Sequence, residues 1–195
     1  MRTTLKSWGA VAALTLLPNL AHAHPGHDTA GLAEGFAHPL LGLDHILAML
    51  AVGLWAVQLG GRAFWVVPAS FVTSMILGGA LGISGMALPF AEQGILASVL
   101  ILGLLIAAAA RLPLVASAVL VGAFSIFHGF AHGAEMPIDA SGLSYGGGFV
   151  AATALLHGAG IAAGLMARQF AQAQWIRAAG GAIALAAVLL AFEII

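Results

Sequence analysis

Cysteine is absent from this chain. That one absence excludes disulfides, thiolate-held zinc, iron–sulfur clusters and thiol nucleophiles, so any metal chemistry must rely on imidazole, carboxylate or thioether ligands. Charge is nearly as scarce, since Asp, Glu, Lys and Arg make up 7% of the 195 residues and the formal net charge is −1. With no basic footprint, the chain is a poor partner for nucleic acid. No G-x4-G-K-S/T loop is present, which argues against nucleotide hydrolysis by this chain. What fills the sequence instead is apolar: 62% of it is hydrophobic, more than a water-soluble domain of this size can cover. The lipid bilayer is the environment this implies. Histidine is the second excess, eight residues against six Lys plus Arg.

The first stretch reads as a cleavable signal peptide, residues 1–23. Arg2 and Lys6 make a basic start, residues 8–17 are an apolar run too short to span, and Ala21-His22-Ala23 supplies a small-x-small cleavage site. An uncleaved anchor helix is the competing reading. Cleavage leaves an amino-terminal segment at 24–37, where His24-Pro25-Gly26-His27-Asp28 offers a free amine and the imidazoles of His24 and His27 as a metal hook, or else a solvated tail.

Six apolar stretches of about 20 residues follow, each long enough for the hydrocarbon core: 38–59, 63–83, 92–110, 113–133, 146–167 and 175–194. Bare backbone polar groups are not tolerated in lipid and the runs do not alternate as barrel strands do, so the spans must be helices. The fold class is therefore an all-α integral membrane protein, with residues 38–195 forming a bundle of six transmembrane helices. With the mature amino end outside, Arg62, Arg111, Arg168 and Arg177 all fall on inner flanks, as the positive-inside rule requires. Asp28, Glu34, Glu92, Glu135, Asp139 and Glu193 then lie on or near the outer face, leaving Asp44 as the one acid at depth. Gly78 and Gly82, Gly129 and Gly133, and Gly160 and Gly164 recur at the spacing of close helix packing. Glycine beside His128, His132 and His157 also suggests space for an ion or water next to each ring.

The first span opens with His38-Pro39-Leu40-Leu41-Gly42-Leu43-Asp44-His45. Proline is tolerated in a first helical turn, which predicts a helix starting at His38 or Pro39, with His45 on the same stripe about 10 Å deeper. In the fourth span His128, His132 and Glu135 stand at i, i+4 and i+7, two imidazoles and a carboxylate on one face. Antiparallel running brings His38 opposite His132, and Asp44 with His45 near the level of His128. His157 lies near mid-membrane in the fifth span, either as a ligand or as a helix-to-helix hydrogen bonder. Asp44 at depth costs roughly 2.5–3.5 kcal/mol on insertion scales and calls for a compensating partner. A hydrogen-bonded polar network supplies one answer; a cation passing among the histidines is the better one. Imidazole with a few oxygens suits nickel, cobalt, zinc or copper(II). Met49, Met75, Met86, Met136 and Met166 show no repeated copper(I) spacing and read as packing residues.

The His-x5-Asp-His of the first span and the Phe-His-Gly-x-Ala-His-Gly-x-Glu of the fourth resemble the two signatures of the HupE/UreJ family, and the layout of signal peptide plus six spans is similar over the full length. The resemblance implies a bacterial inner-membrane permease, its mature amino terminus periplasmic, taking up nickel and possibly cobalt for hydrogenase or urease. By motif position it implies roles for His38, Asp44, His45, His128, His132 and Glu135. The divalent ion is then substrate, and no prosthetic group is expected. Two other classes compete from the residues alone. One is an intramembrane zinc-dependent hydrolase or other metalloenzyme built on His128 and His132. The other is a metal sensor or accessory subunit without transport.

Overall fold

Apolar runs interrupted by Gly, Pro and charge give seven α-helices and no strand among the described residues of the computed structural model, which are 27–137, 140–170 and 173–195. They are α1 (His27–Ala37), α2 (Leu43–Leu59), α3 (Ala63–Ile83), α4 (Ala91–Ala107), α5 (Leu114–Ala134), α6 (Gly142–Gln169) and α7 (Ala173–Ala191), with a 3-10 turn at His38–Leu40. The expected signal peptide, His24, Asp139 and the side chains of His27 and Asp28 lie outside the described residues. Four helices are long and apolar enough to cross a membrane: α3, α5, α6 and, as Gln174–Ala191, α7. The 17-residue α4 is apolar but shorter.

The first predicted span differs from expectation. It is not one helix from His38, because the chain bends by 81° between Gly31–Leu40 and Leu43–Leu59. The reason is local. Pro39 belongs to the 3-10 turn, Gly42 precedes α2 with an extended backbone (φ −94°, ψ 119°), and Asp44 then accepts the His45 N–H, one of the donors a helix start leaves unpaired. The amino-terminal segment expected at 24–37 is helical from His27 to Ala37, as α1. It packs on α6, which at 28 residues is about 42 Å long and exceeds a hydrocarbon core of about 30 Å. Gly35 of α1 faces the Tyr145 carbonyl and Gly148 of α6 faces the Leu32 carbonyl, so the two backbones touch.

The central helix is α2. Its stretch from Ala48 to Val57 is buried except for Leu50, and it packs against α6, α4, α3 and α7. Lipid gives no hydrophobic drive between helices, so association rests on close packing. The glycine pairs supply it. Gly78 and Gly82 of α3 meet the carbonyls of Ile126 and Phe130, while Gly129 and Gly133 of α5 meet those of Met75 and Gly79. Gly53 of α2 meets the His157 carbonyl, and Gly160 of α6 meets that of Leu50. Where these glycines themselves stand, the ion space expected beside the histidines is closed. At Gly129 and Gly133 the neighbouring backbone fills the gap, and Gly158 is open only toward the exposed face of α6.

At the opposite end from His38, side chains satisfy carbonyls at and just beyond helix C-termini. Trp55 Nε1 donates to Ala110 O (3.2 Å), Gln58 Nε2 to Ile106 O (3.1 Å), Arg168 Nη1 to Val57 O (3.2 Å) and Arg177 Nε to Ala107 O (2.8 Å). Cations at helix C-termini are favourable, so Arg168 and Arg177 also tie α6 and α7 to α2 and α4.

Gly129→Ala would press a methyl onto the Met75 backbone, which cannot yield as a side chain would. Overpacking of this kind costs about 1–3 kcal/mol, so the variant should melt several degrees lower in detergent. Gly158→Ala meets nothing within 4 Å and should melt at or above the wild-type temperature, since Ala is the better helix former. Equal melting of the two variants would contradict the backbone contact.

Candidate functional site

The break before α2 and the end of α5 put the two sequence motifs side by side. His38 leaves the 3-10 turn and pairs its Nε2 with Glu135 Oε2 at 3.0 Å. Glu135 is the residue that caps α5 rather than a member of its face, because α5 ends at Ala134. From there the imidazoles touch in succession. His38 meets His132 edge to face with ring centroids 4.7 Å apart, His132 meets His45 at 4.4 Å, and His45 meets His128 at 4.8 Å. His45 contacts both rings of α5, so the two levels expected from sequence are joined through it.

Exposure is highest at one end of this column and lowest at the other, with the His45 side chain 12% exposed between them. Glu135 is 59% and His38 31% exposed, whereas His132 is 3% and His128 0%. The mouth is therefore the His38–Glu135 pair and the closed end is His128. His157 is buried but stands apart: the fully buried Phe71 of α3 lies between, 5.6 Å from the His128 ring and 5.0 Å from that of His157. Phe149 covers the other side of His132 at 3.9 Å. Neither phenylalanine carried a sequence signal, because an aromatic in an apolar span reads as packing.

Proton placement follows from the hydrogen bonds. Asp44 Oδ1 lies 2.7 Å from both the backbone N and Nδ1 of His45. An ionised carboxylate only accepts, so Nδ1 carries the proton and donates, and in the neutral form of the ring the lone pair lies on Nε2. That nitrogen is buried without a hydrogen-bond partner, as are His128 Nδ1, both ring nitrogens of His132 and His157 Nε2. A carboxylate orienting an imidazole whose other nitrogen is free is the usual support of a metal-binding histidine. Yet among the described residues no group of three or more His, Asp or Glu is arranged to hold a metal ion at once. The rings meet edge to face, which presents potential ligands in series rather than as one closed shell.

Gly42 is part of this arrangement and was not singled out by sequence. A Cβ there would stand 2.8 Å from Asp44 Oδ1 and 2.9 Å from His45 Nδ1, so the pair folds back over the space a side chain would take. An apolar cavity of about 730 Å³ between α3, α5 and α6 reaches His132 and Tyr145 from the side.

Comparison with known proteins gives one consistent answer. The profile of a family described as HupE / UreJ protein matches residues 12–190. The chain is 48% identical over 182 residues to Protein HupE of Rhizobium leguminosarum bv. viciae, covering 92% of this chain and 94% of that protein. No solved structure matches.

Gly42→Ala should push the Asp44 carboxylate off His45 and so release the proton from Nδ1. In 15N-histidine-labelled protein, His45 should then change from one tautomer to a mixture, and Asp44→Asn should produce the same change without touching the backbone. A His45 signal unaltered by Gly42→Ala would show that the space above Gly42 is not restrictive.

Proposed function

The chain belongs to the HupE/UreJ family, a family of metal transporters rather than of enzymes, and on that premise we propose that it is an inner-membrane permease taking up a divalent transition metal, nickel foremost and cobalt second, for metalloenzymes such as hydrogenase or urease. The observation that carries this reading is the run of four buried imidazole nitrogens without a partner, on His45, His128 and His132, in rings that touch one another. Imidazole nitrogens of this kind suit nickel and cobalt. Membership in a transporter family sets aside the intramembrane hydrolase.

In this reading the hydrated ion meets the His38–Glu135 pair first. The carboxylate supplies the opposite charge, and His132 then His45 and His128 replace water ligands one at a time. Binding in series keeps each site of moderate affinity, as a permease needs for release. His157, beyond Phe71, is the next ligand inward, and His24 and His27 would collect metal outside. Inward movement of a divalent cation gains about 4.6 kcal/mol per 100 mV of inside-negative potential, so the potential can drive uptake.

The orientation belongs to the same proposal: six spans, counting the bent α1–α2 pair as one and α4 as another, with the mature amino terminus periplasmic. It rests on Arg62, Arg111, Arg168 and Arg177 falling at one end of the bundle.

Sealed proteoliposomes should accumulate radiolabelled nickel, and cobalt more weakly. His45→Ala and His132→Ala should each reduce uptake at least tenfold, while Glu135→Gln should lower it with little change in melting temperature, because exposed ion pairs contribute about 0–1 kcal/mol. Absence of metal flux in wild-type vesicles overturns the permease reading. The cysteine-free chain also makes topology direct to measure. Ser84→Cys should react with a membrane-impermeant maleimide in intact cells whose outer membrane is permeabilised, and Gly61→Cys only after lysis. The reverse pattern inverts the orientation.

A further inference from the structure

His128 is held by a residue on another helix that neither sequence motif contains. Ser98 of α4 is fully buried, as is His128 of α5, and Ser98 Oγ lies 2.8 Å from His128 Nε2. The same hydroxyl lies 2.6 Å from the Ile95 carbonyl oxygen. A serine hydroxyl has one proton. At 2.6 Å two oxygens without a proton between them would repel, so that proton points to Ile95 O. Ser98 Oγ is left facing Nε2 as an acceptor, which requires Nε2 to carry hydrogen. In the opposite tautomer two lone pairs would face each other at 2.8 Å, and the Nδ1–H would be buried without an acceptor.

We propose that Ser98 is a positioning residue for transport: it fixes His128 as the Nε2–H tautomer, so that Nδ1 presents a permanent lone pair to the passing cation. This deepens the permease reading and rests on it. Ser98 does for His128 what Asp44 does for His45, with a neutral hydroxyl anchored to backbone in place of a carboxylate. The difference suits depth. A second carboxylate beside His128 would have to be buried completely, whereas a hydroxyl bonded to its own helix brings no charge into the bilayer. The relay from Nε2–H through Oγ to the Ile95 carbonyl also has a fixed direction, which keeps the ring from turning over. Ser98 never touches the metal in this scheme.

The test uses the full chain in lipid bilayers, labelled with 15N-histidine, with His128→Asn identifying the His128 signals. Wild type should show His128 Nδ1 unprotonated before any metal is added. Ser98→Ala and the bulkier Ser98→Val remove the hydroxyl, and Ser98→Thr restores it on the shape of valine. Both hydroxyl-free variants should show a tautomer mixture at His128, and the concentration of nickel at half-maximal uptake should rise about tenfold, the lower end of losses on removing a group that orients a metal-binding histidine. Ser98→Thr should retain the wild-type tautomer and half-maximal concentration within about twofold. A protonated Nδ1 in wild type, or a tautomer unchanged in whichever hydroxyl-free variant inserts and melts normally, overturns the proposal even when His128→Ala abolishes uptake and the permease reading stands. A changed tautomer with unchanged nickel dependence overturns it as well. Uptake indifferent to His45→Ala, His128→Ala and His132→Ala together would instead remove the permease reading, and this inference with it.

Discussion

Backbone meeting backbone is the contact on which the rest of this bundle depends. Where α3 crosses α5 and α2 crosses α6, glycines let the main chains approach until carbonyl oxygens occupy the space of a missing Cβ. In lipid this is the main source of attraction between apolar helices, since packing replaces the hydrophobic effect there. It also has a geometric outcome. Gly129 and Gly133 each follow a histidine, so fastening α5 to α3 fixes the direction of the His128 and His132 rings. Gly53 fastens α2 to α6 at His157 and thereby sets the depth of His45. The histidines sit between two rigid pairs rather than on four independent helices.

Polar groups at depth must be accounted for one by one. Asp44 stands at the first turn of α2, where a carboxylate is favoured by the helix N-terminus and by the His45 N–H. Ser98 is satisfied by its own helix and by His128. What remains buried without a partner among the described residues is almost wholly imidazole nitrogen, with Tyr145 Oη and Gln58 Oε1 as the other two atoms. A bundle selected for stability alone would place apolar residues there, and these unpartnered nitrogens are the atoms on which the proposed transport rests.

Much of this was legible in the sequence. The His38-to-His45 and His128-to-Glu135 spacings, together with arginine placement, brought the correct residues opposite one another, because helical rise and antiparallel running determine level. The glycine pairs read correctly as packing. The break at Gly42 did not show, since Pro39 is equally at home in the first turn of a helix and in a 3-10 turn. The choice was made by Asp44 folding back onto His45, a contact between neighbours that periodicity does not register. For the same reason Glu135 was placed on the α5 face when it caps it. Ser98 and Phe71 lie on other helices at no motif spacing, and only the three-dimensional arrangement connects them to the histidines.

The ring-to-ring spacings carry a consequence for movement along the column. From His38 to His128 successive centroids are 4.4 to 4.8 Å apart, shorter than the helical pitch of about 5.4 Å. In the proposed permease, an ion leaving one imidazole would therefore meet the next without a shift of helices. The one interruption is Phe71, whose ring offers a face but no lone pair. In the proposed permease the path would thus divide at Phe71, with successive imidazoles on the His38 side and a ring without ligand atoms before His157.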